Sequence, residues 1–198
     1  MLDAGCGPGF IAAQLAALGY RVTGIDASEE GIRLARSKYP GLRFETHSVY
    51  DDLSDLAPDD GWDLIVSAEV IEHLFAPPRF LNNMHRHLRH DGVLLISCPY
   101  HGYLKNLAIS LINGWDRHHT VDWECGHIKF FSRRSLTKML KQAGFEETGF
   151  WHAGRLPLMW KSMLCTAVKQ GSPPVSSRSF SGSLYKGENE STHVRIRV

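Results

Sequence analysis

The stretch Met1-Leu2-Asp3-Ala4-Gly5-Cys6-Gly7-Pro8-Gly9 decides the fold. It reads as a strand end, a glycine turn and a helix start. Leu2 is the last apolar strand residue and Asp3 closes the strand. Gly5, Gly7 and Gly9 let the backbone turn tightly and come close to a ligand, because glycine has no Cβ in the way. Phe10 to Leu18 then carries apolar residues at Ile11, Leu15 and Leu18, a helical spacing. A helix N-terminus that faces a cleft offers free N–H groups and a partial positive charge.

A nicotinamide-type turn has Gly-x-Gly-x-x-Gly with its first glycine at the strand end. Here the pattern is Asp-x-Gly-x-Gly-x-Gly, with an acid two residues ahead. This resembles motif I of class I S-adenosylmethionine (AdoMet) methyltransferases. In that resemblance the Asp3 carboxylate serves the cofactor's ammonium group, directly or through water.

Outward from the turn, Tyr20 to Asp26 reads as a second strand ending in an acid. A carboxylate at that place accepts hydrogen bonds from ribose hydroxyls. Ser28 caps a helix running to about Lys38, with Glu29 and Glu30 in its first turn. Leu42 to His47 is a third strand. The related enzymes often place an acid just after it, near the adenine amine. Ser48 stands there in this chain, so backbone groups or Asp51 take that place. Trp62 to Ala68 is a near-continuous apolar run, as for a parallel strand buried on both faces. Pro77-Pro78 opens a helix through Leu81, Met84 and Leu88. Asp91-Gly92 turns into a fifth strand, Val93 to Cys98. Strands alternating with helices predict a parallel α/β sheet.

Pro99 to Ser132 is longer than an ordinary connection. Leu104, Leu107, Ala108, Leu111 and Ile112 predict one amphipathic helix in it. Trp115, His118, His119, Trp123, His127, Phe130 and Phe131 follow. The stretch reads as a substrate lid or as a flap packed on the sheet. Ser132 caps a last helix through Leu136, Met139 and Leu140, ended by Gly144. Phe145 to His152 and Met163 to Val168 read as a closing strand pair. Residues 170–198 shift to Gly, Ser and Pro and are expected to form a disordered tail.

The chain has 198 residues and a net charge of +1, enough for one domain with a core and no basic field for nucleic acid. No apolar run is long enough to span a bilayer. The four cysteines form no Cys-x-x-Cys pair, which favours reduced thiols and a cytoplasmic setting.

Across residues 1–168 the chain resembles the class I methyltransferases, above all the ubiquinone-biosynthesis-type O-methyltransferases. The matching pieces are the glycine turn, Gly24-Ile25-Asp26, Ser67-Ala68-Glu69-Val70-Ile71-Glu72-His73 and Gly144-Phe145. The resemblance implies a Rossmann-like α/β fold. Its sheet is mostly parallel and seven-stranded, with a final antiparallel hairpin. The domain covers residues 1–169, is truncated at its first strand, and carries the lid at 99–132. The implied cofactor contacts are Asp3, Gly5, Cys6, Gly7, Asp26, Ala27, Tyr50, Ala68 and Glu69.

Methyl transfer to an oxygen or nitrogen of a small molecule is the expected reaction. His73 is the first candidate base, then His118, His119 and His127. Quinone-pathway members suggest a magnesium ion on Glu69, Glu72 and His73. At i, i+3 and i+4 these residues share one face of a helical turn, if that turn is regular. Two other readings stay open. A truncated remnant would bind cofactor without turnover. A base-modifying nucleic-acid methyltransferase is loosely suggested by Ser97-Cys98-Pro99-Tyr100, but that box should follow strand four, where Glu69 stands.

Overall fold

The computed structural model describes residues 1–119, 126–154 and 160–171; the side chains of Arg117 and His119 are outside this description. Seven strands form one sheet in the order β3-β2-β1-β4-β5-β7-β6. They are β1 Leu2–Ala4, β2 Thr23–Asp26, β3 Arg43–Thr46, β4 Trp62–Ala68, β5 Leu88–Pro99, β6 Phe145–Ala153 and β7 Ser162–Lys169. The first five pair in parallel; β7 runs antiparallel between β5 and β6. The expected sheet with its closing hairpin is present. The chain reverses direction of travel across the sheet between β1 and β4. Such a switch point leaves a crevice at the carboxyl ends of the strands.

The helices are α1 Phe10–Ala17, α2 Glu29–Lys38, α3 Pro77–His87, α4 Tyr103–Leu111, α5 Trp115–His119 and α6 Arg133–Gln142. Local chemistry accounts for their ends. Ser28 Oγ accepts the Gly31 N–H at 3.0 Å and starts α2. Ser132 and Ser135 cap α6 reciprocally. Gly144, at φ 84°, stops it in the left-handed region that glycine tolerates.

Two apolar clusters hold the sheet. The larger joins Leu2, Ile65 and Leu94 to Phe80, Leu81 and Met84 of α3 and to Leu136 and Leu140 of α6. The smaller gathers Ala12, Ile32, Ala35 and Phe44.

Several expectations need correction. The seam of α1 is Ala12 with Leu15 and Ala16, and Leu18 is 74% exposed. Alanine at the contact lets α1 lie close to the sheet. β2 starts at Thr23, the residue facing Leu2, rather than at Tyr20. α3 ends at His87, and Leu88 already pairs with Trp62 in β5. The turn expected at Asp91-Gly92 is an irregularity inside β5: Leu64 pairs with Val93, five residues beyond Leu88. Asp91 sits there at φ 58°.

α4 forms where expected but is turned over. It buries Lys105 and Ile109, while Leu111 and Ile112 are 78% and 77% exposed. Gln170, assigned from composition to the tail, is held: its N–H donates to the Gly144 carbonyl and its side chain to Glu146. The rest of that tail from 172 on, with Trp123 and Cys125, lies outside the described residues.

Ile65 sits in the middle of β4 with no exposed surface. Ile65→Ala should cost about 2–5 kcal/mol through lost transfer energy and the cavity left behind. Urea unfolding checks this; a loss under about 1 kcal/mol would mean that the sheet core collapses around the gap.

Candidate active site at the strand ends

The glycine turn is built by backbone geometry. Gly5, Gly7 and Gly9 all have positive φ, at 85°, 50° and 81°. The N–H groups of Gly5 and Cys6 both donate to the Ile25 carbonyl, at 2.8 and 2.9 Å. A Cβ on Gly5 would lie 2.4 Å from Val70 Cγ2, whereas one on Gly7 would meet nothing within 4 Å. The turn is thus packed from below at Gly5 and open above at Gly7.

Asp26, at the end of β2, splints the turn. Its Oδ2 accepts the Gly7 N–H and its Oδ1 the Ser28 N–H, both at 2.8 Å. Each carboxylate oxygen keeps a second lone-pair direction for another donor. Ala27 follows, exposed, at the bend before α2.

Asp3 is 1% exposed, and its Oδ2 has no hydrogen-bond partner among the described residues. Burial pushes its carboxyl up to about 6; an N–H bond from Ala12 partly offsets this and the Asp26 charge adds to it. A buried carboxylate oxygen lacking a donor fits a cationic ligand group. Cys6 is no nucleophile, because burial pushes its thiol up to about 12, with Asp3 and Asp26 adding to the effect.

Beyond β4 the chain bends sharply. Glu69 is at φ 55°, a conformation that costs a non-glycine residue energy. Its N–H donates to the Ser97 carbonyl at 3.0 Å, and its Oε1 accepts the Ser97 hydroxyl at 2.8 Å. The single 3-10 turn that follows covers only Ile71–His73. Glu69 therefore stands outside the turn, and the shared helical face expected for Glu69, Glu72 and His73 does not form.

Instead the structure brings together Glu72, His73 and His127, with one ligand atom of each within 4.8 Å of the others. Glu72 is fully buried, and neither carboxyl oxygen has a partner among the described residues. Burial pushes it up to about 8, against its own backbone N–H and with help from Glu69. His127 packs edge-on to His73, ring centroids 5.0 Å apart.

A cavity of about 380 Å³ opens beside Glu69. Its walls include Pro99, His101, Lys105, His118, His127 and Lys161. A wider surface depression of about 840 Å³ runs along Arg133, Lys138 and Glu147. It lies on α6, away from the strand ends where the glycine turn and the carboxylates converge, and the smaller cavity is the one placed for chemistry.

The methyltransferase-domain family model matches residues 1–148. The chain belongs to that family. Among its relatives is the ubiquinone biosynthesis O-methyltransferase of Rickettsia canadensis, 29% identical over 150 residues, with 74% of this chain and 62% of that protein covered. The enzyme of the same name from Dinoroseobacter shibae is 32% identical over 154 residues, with 74% and 59% covered. The chain thus spans about three-fifths of the length of these relatives. Among solved structures, magnesium protoporphyrin IX methyltransferase of Synechocystis PCC 6803, with bound SAH, superposes with a TM-score of 0.65 at 18% identity, covering 85% of this chain and 73% of that one. That likeness shows the fold.

Within the family fold, Asp3, Gly5, Cys6, Gly7, Asp26 and Ala27 converge on the turn above β1 and β2. Ala68 and Glu69 lie at the end of neighbouring β4. The Tyr50 hydroxyl accepts the Ala76 N–H at 3.0 Å, and Arg79 lies over the ring. His118 and His127 reach the cavity wall. The side chain of His119 is outside the described residues. The residues that the motifs missed are His101, Lys105 and Lys161. The one available signal was Lys105, a lone charge in an apolar helix.

The AdoMet fit rests on the unpartnered Asp3 oxygen, the open face of Gly7 and the spare lone pairs of Asp26. Magnesium does not fit the cluster at Glu72. Magnesium takes oxygen ligands, and this donor set holds one carboxyl and two imidazoles.

Asp3 makes a pH prediction. Its folded pKa, about 6, lies above the ordinary 3.8. The folded state therefore holds this proton more tightly, and the group's stabilising contribution is full below pH of about 4. It is lost as pH rises through about 6, by about 3 kcal/mol in all. Asp3→Asn carries no charge, so its stability relative to the parent should rise across that window. Urea midpoints from pH 4 to 7 check this; a constant difference would show that Asp3 is ionised throughout.

Proposed function

We propose that this chain transfers a methyl group from AdoMet to an oxygen, or a nitrogen, of a small molecule. The observation that carries the reading is continuity. The Asp3–Gly7–Asp26 cradle adjoins, through Ala68 and Glu69, a cavity of about 380 Å³ at the ends of β4 and β5. That volume suits a small ligand. The names of the relatives support the oxygen acceptor, and the SAH-bound neighbour supports the cofactor.

AdoMet supplies an electrophilic methyl group on a sulfonium. In this reading Asp3 meets the ammonium, Asp26 the ribose hydroxyls, and the Gly7 and Ala27 backbone the adjoining part of the cofactor. Tyr50 closes the adenine side while its hydroxyl stays bound to Ala76. Glu69 and Ala68 border the reacting centre. The remaining work is alignment of the acceptor and exclusion of water. His118, on the cavity wall, takes the acceptor's proton. His73 is less well placed for that task, since it is not among the residues that line this cavity.

Calorimetry with AdoMet and SAH tests the cradle. Asp26→Ala should weaken AdoMet by about 2–3 kcal/mol, treating each charge-assisted bond as about 1.5 kcal/mol. Unchanged affinity would remove Asp26 from the site. A screen of phenolic and amine acceptors tests transfer. His118→Ala should lower kcat by about a hundredfold or more with AdoMet affinity unchanged. Tight AdoMet binding without turnover on any acceptor would instead support a protein that only holds the cofactor.

A further inference from the structure

We propose that Asn83 and His87 of α3 are positioning residues for the cofactor. They hold the segment 49–53, and with it Tyr50, at the adenine side of the cleft, and His87 makes that hold sensitive to pH. The proposal rests on the AdoMet reading above, in which Tyr50 closes the adenine side.

The two residues stand four apart on one face of α3 and are buried, at 7% and 6% exposure. An amide and an imidazole are unusual on the buried face of a helix unless they have partners there. Both find them on the backbone of one distant segment. The Asn83 side chain donates to the Val49 carbonyl at 3.0 Å and to the Asp51 carbonyl at 2.7 Å. The Leu53 N–H donates to His87 Nε2 at 3.2 Å. Every second residue from 49 to 53 is therefore tied to α3 through its main chain. Val49 and Leu53 also bury their side chains in the core that holds Phe80 and Met84 of α3.

Tyr50 lies between two of these ties. Its N–H donates to Ser48 Oγ at 3.2 Å, and its hydroxyl is bound to Ala76. The segment also starts from the cradle, because the His47 N–H donates to the Asp26 carbonyl at 2.9 Å. Loosening residues 49–53 would move Tyr50, while Gly5, Cys6 and Gly7 keep their own bonds to Ile25 and Asp26.

His87 faces two demands on one nitrogen. Its Nδ1 meets the Asn83 carbonyl at 3.0 Å, and a carbonyl only accepts, so Nδ1 holds a proton. Nε2 meets the Leu53 N–H at 3.2 Å and Asp52 Oδ1 at 2.8 Å. A bare Nε2 accepts from Leu53, and a protonated one donates to Asp52; it cannot do both. Acidification therefore moves His87 from Leu53 to Asp52 and leaves the Leu53 N–H without its acceptor. Asp52 stays ionised to receive it, because the Ser54 hydroxyl and then His87 hold its carboxyl below the usual range. The other charged or titratable groups nearby are Arg86, Arg89, His90, Lys169, Asp59 and Asp60 around the adjoining depression, and His47, whose Nε2 lies 2.8 Å from the Asp52 carbonyl. Arg89 is paired with Asp63 and His90 with Asp91.

The test uses the full chain and two probes, SAH and S-ribosylhomocysteine, which lacks the adenine. Asn83→Ala strands two carbonyls and should weaken SAH about tenfold while leaving S-ribosylhomocysteine unchanged. General damage to the fold would weaken both. His87→Gln keeps a neutral acceptor for the Leu53 N–H and does not titrate. In the parent, the NMR shift of the Leu53 amide should move on acidification through the imidazole range, and SAH affinity should fall with it. In His87→Gln that step should vanish. Asp3 titrates in the same window, so parent and variant are compared at each pH. If Asn83→Ala does not fold, the Leu53 amide in the parent and in His87→Gln decides. Equal SAH affinity in the parent and a folded Asn83→Ala, or an equal loss for both probes, would overturn the proposal. So would a Leu53 amide that responds to pH identically in His87→Gln. A parent that binds neither probe would overturn the AdoMet reading itself, and this role with it, which is a result distinct from all of these.

Discussion

The Asp26 carboxylate is the joint on which the cradle depends. It receives N–H groups from both sides of the cleft, Gly7 of the glycine turn and Ser28 at the start of α2. The Ile25 carbonyl just before it receives two more, from Gly5 and Cys6. The end of β2 therefore holds the turn that follows β1. This arrangement needs left-handed backbone at three nearby positions, and glycine occupies all three. Remove the joint and the turn would have no reason to stand open above the sheet.

Two buried carboxyls flank this joint, and they mark the two halves of the site. Asp3 lies under the turn and Glu72 under the segment 126–130. Each has an oxygen with no partner among the described residues, and burial raises the proton affinity of each. A protein that folded for stability alone would gain by replacing them with apolar side chains. Each is left with an oxygen that no described residue meets, Asp3 beneath the turn and Glu72 beside the imidazoles of His73 and His127.

The cradle was largely legible in the sequence because its logic is local. Glycine spacing, an acid before the turn and an acid at a strand end each follow from backbone geometry at neighbouring residues. The sheet was legible for the same reason: buried parallel strands read as apolar runs, as in Trp62 to Ala68. The substrate side was harder. α4 has apolar residues at helical spacing, yet it buries Lys105, whose ammonium donates to the Tyr100 carbonyl at 2.8 Å. Periodicity identifies a helix and its two faces, but which face meets the protein depends on partners far away in the chain. His127 shows the same limit. Its closeness to Glu72 arises from two backbone bonds across more than fifty residues, which no spacing rule encodes.

Glu69 explains why the spacing of Glu69, Glu72 and His73 does not bring them to one face. A spacing of three and four residues places side chains together only if every residue between is helical. Glu69 is left-handed, and Val70 has φ −121° and ψ −45°. The bend sends the Glu69 carboxylate back to Ser97 on β5 and leaves Glu72 pointing elsewhere. The strain has a structural use. It lets one short stretch serve two neighbours, with Val70 packed under Gly5 of the turn and Glu72 gripping Ile128 and Lys129 through its carbonyl. A regular helical turn at this place would aim both carboxylates to one side and could not support both walls. The separation of the two acids is thus a property of the fold, and it divides the support of the glycine turn from the grouping of Glu72 with His73 and His127.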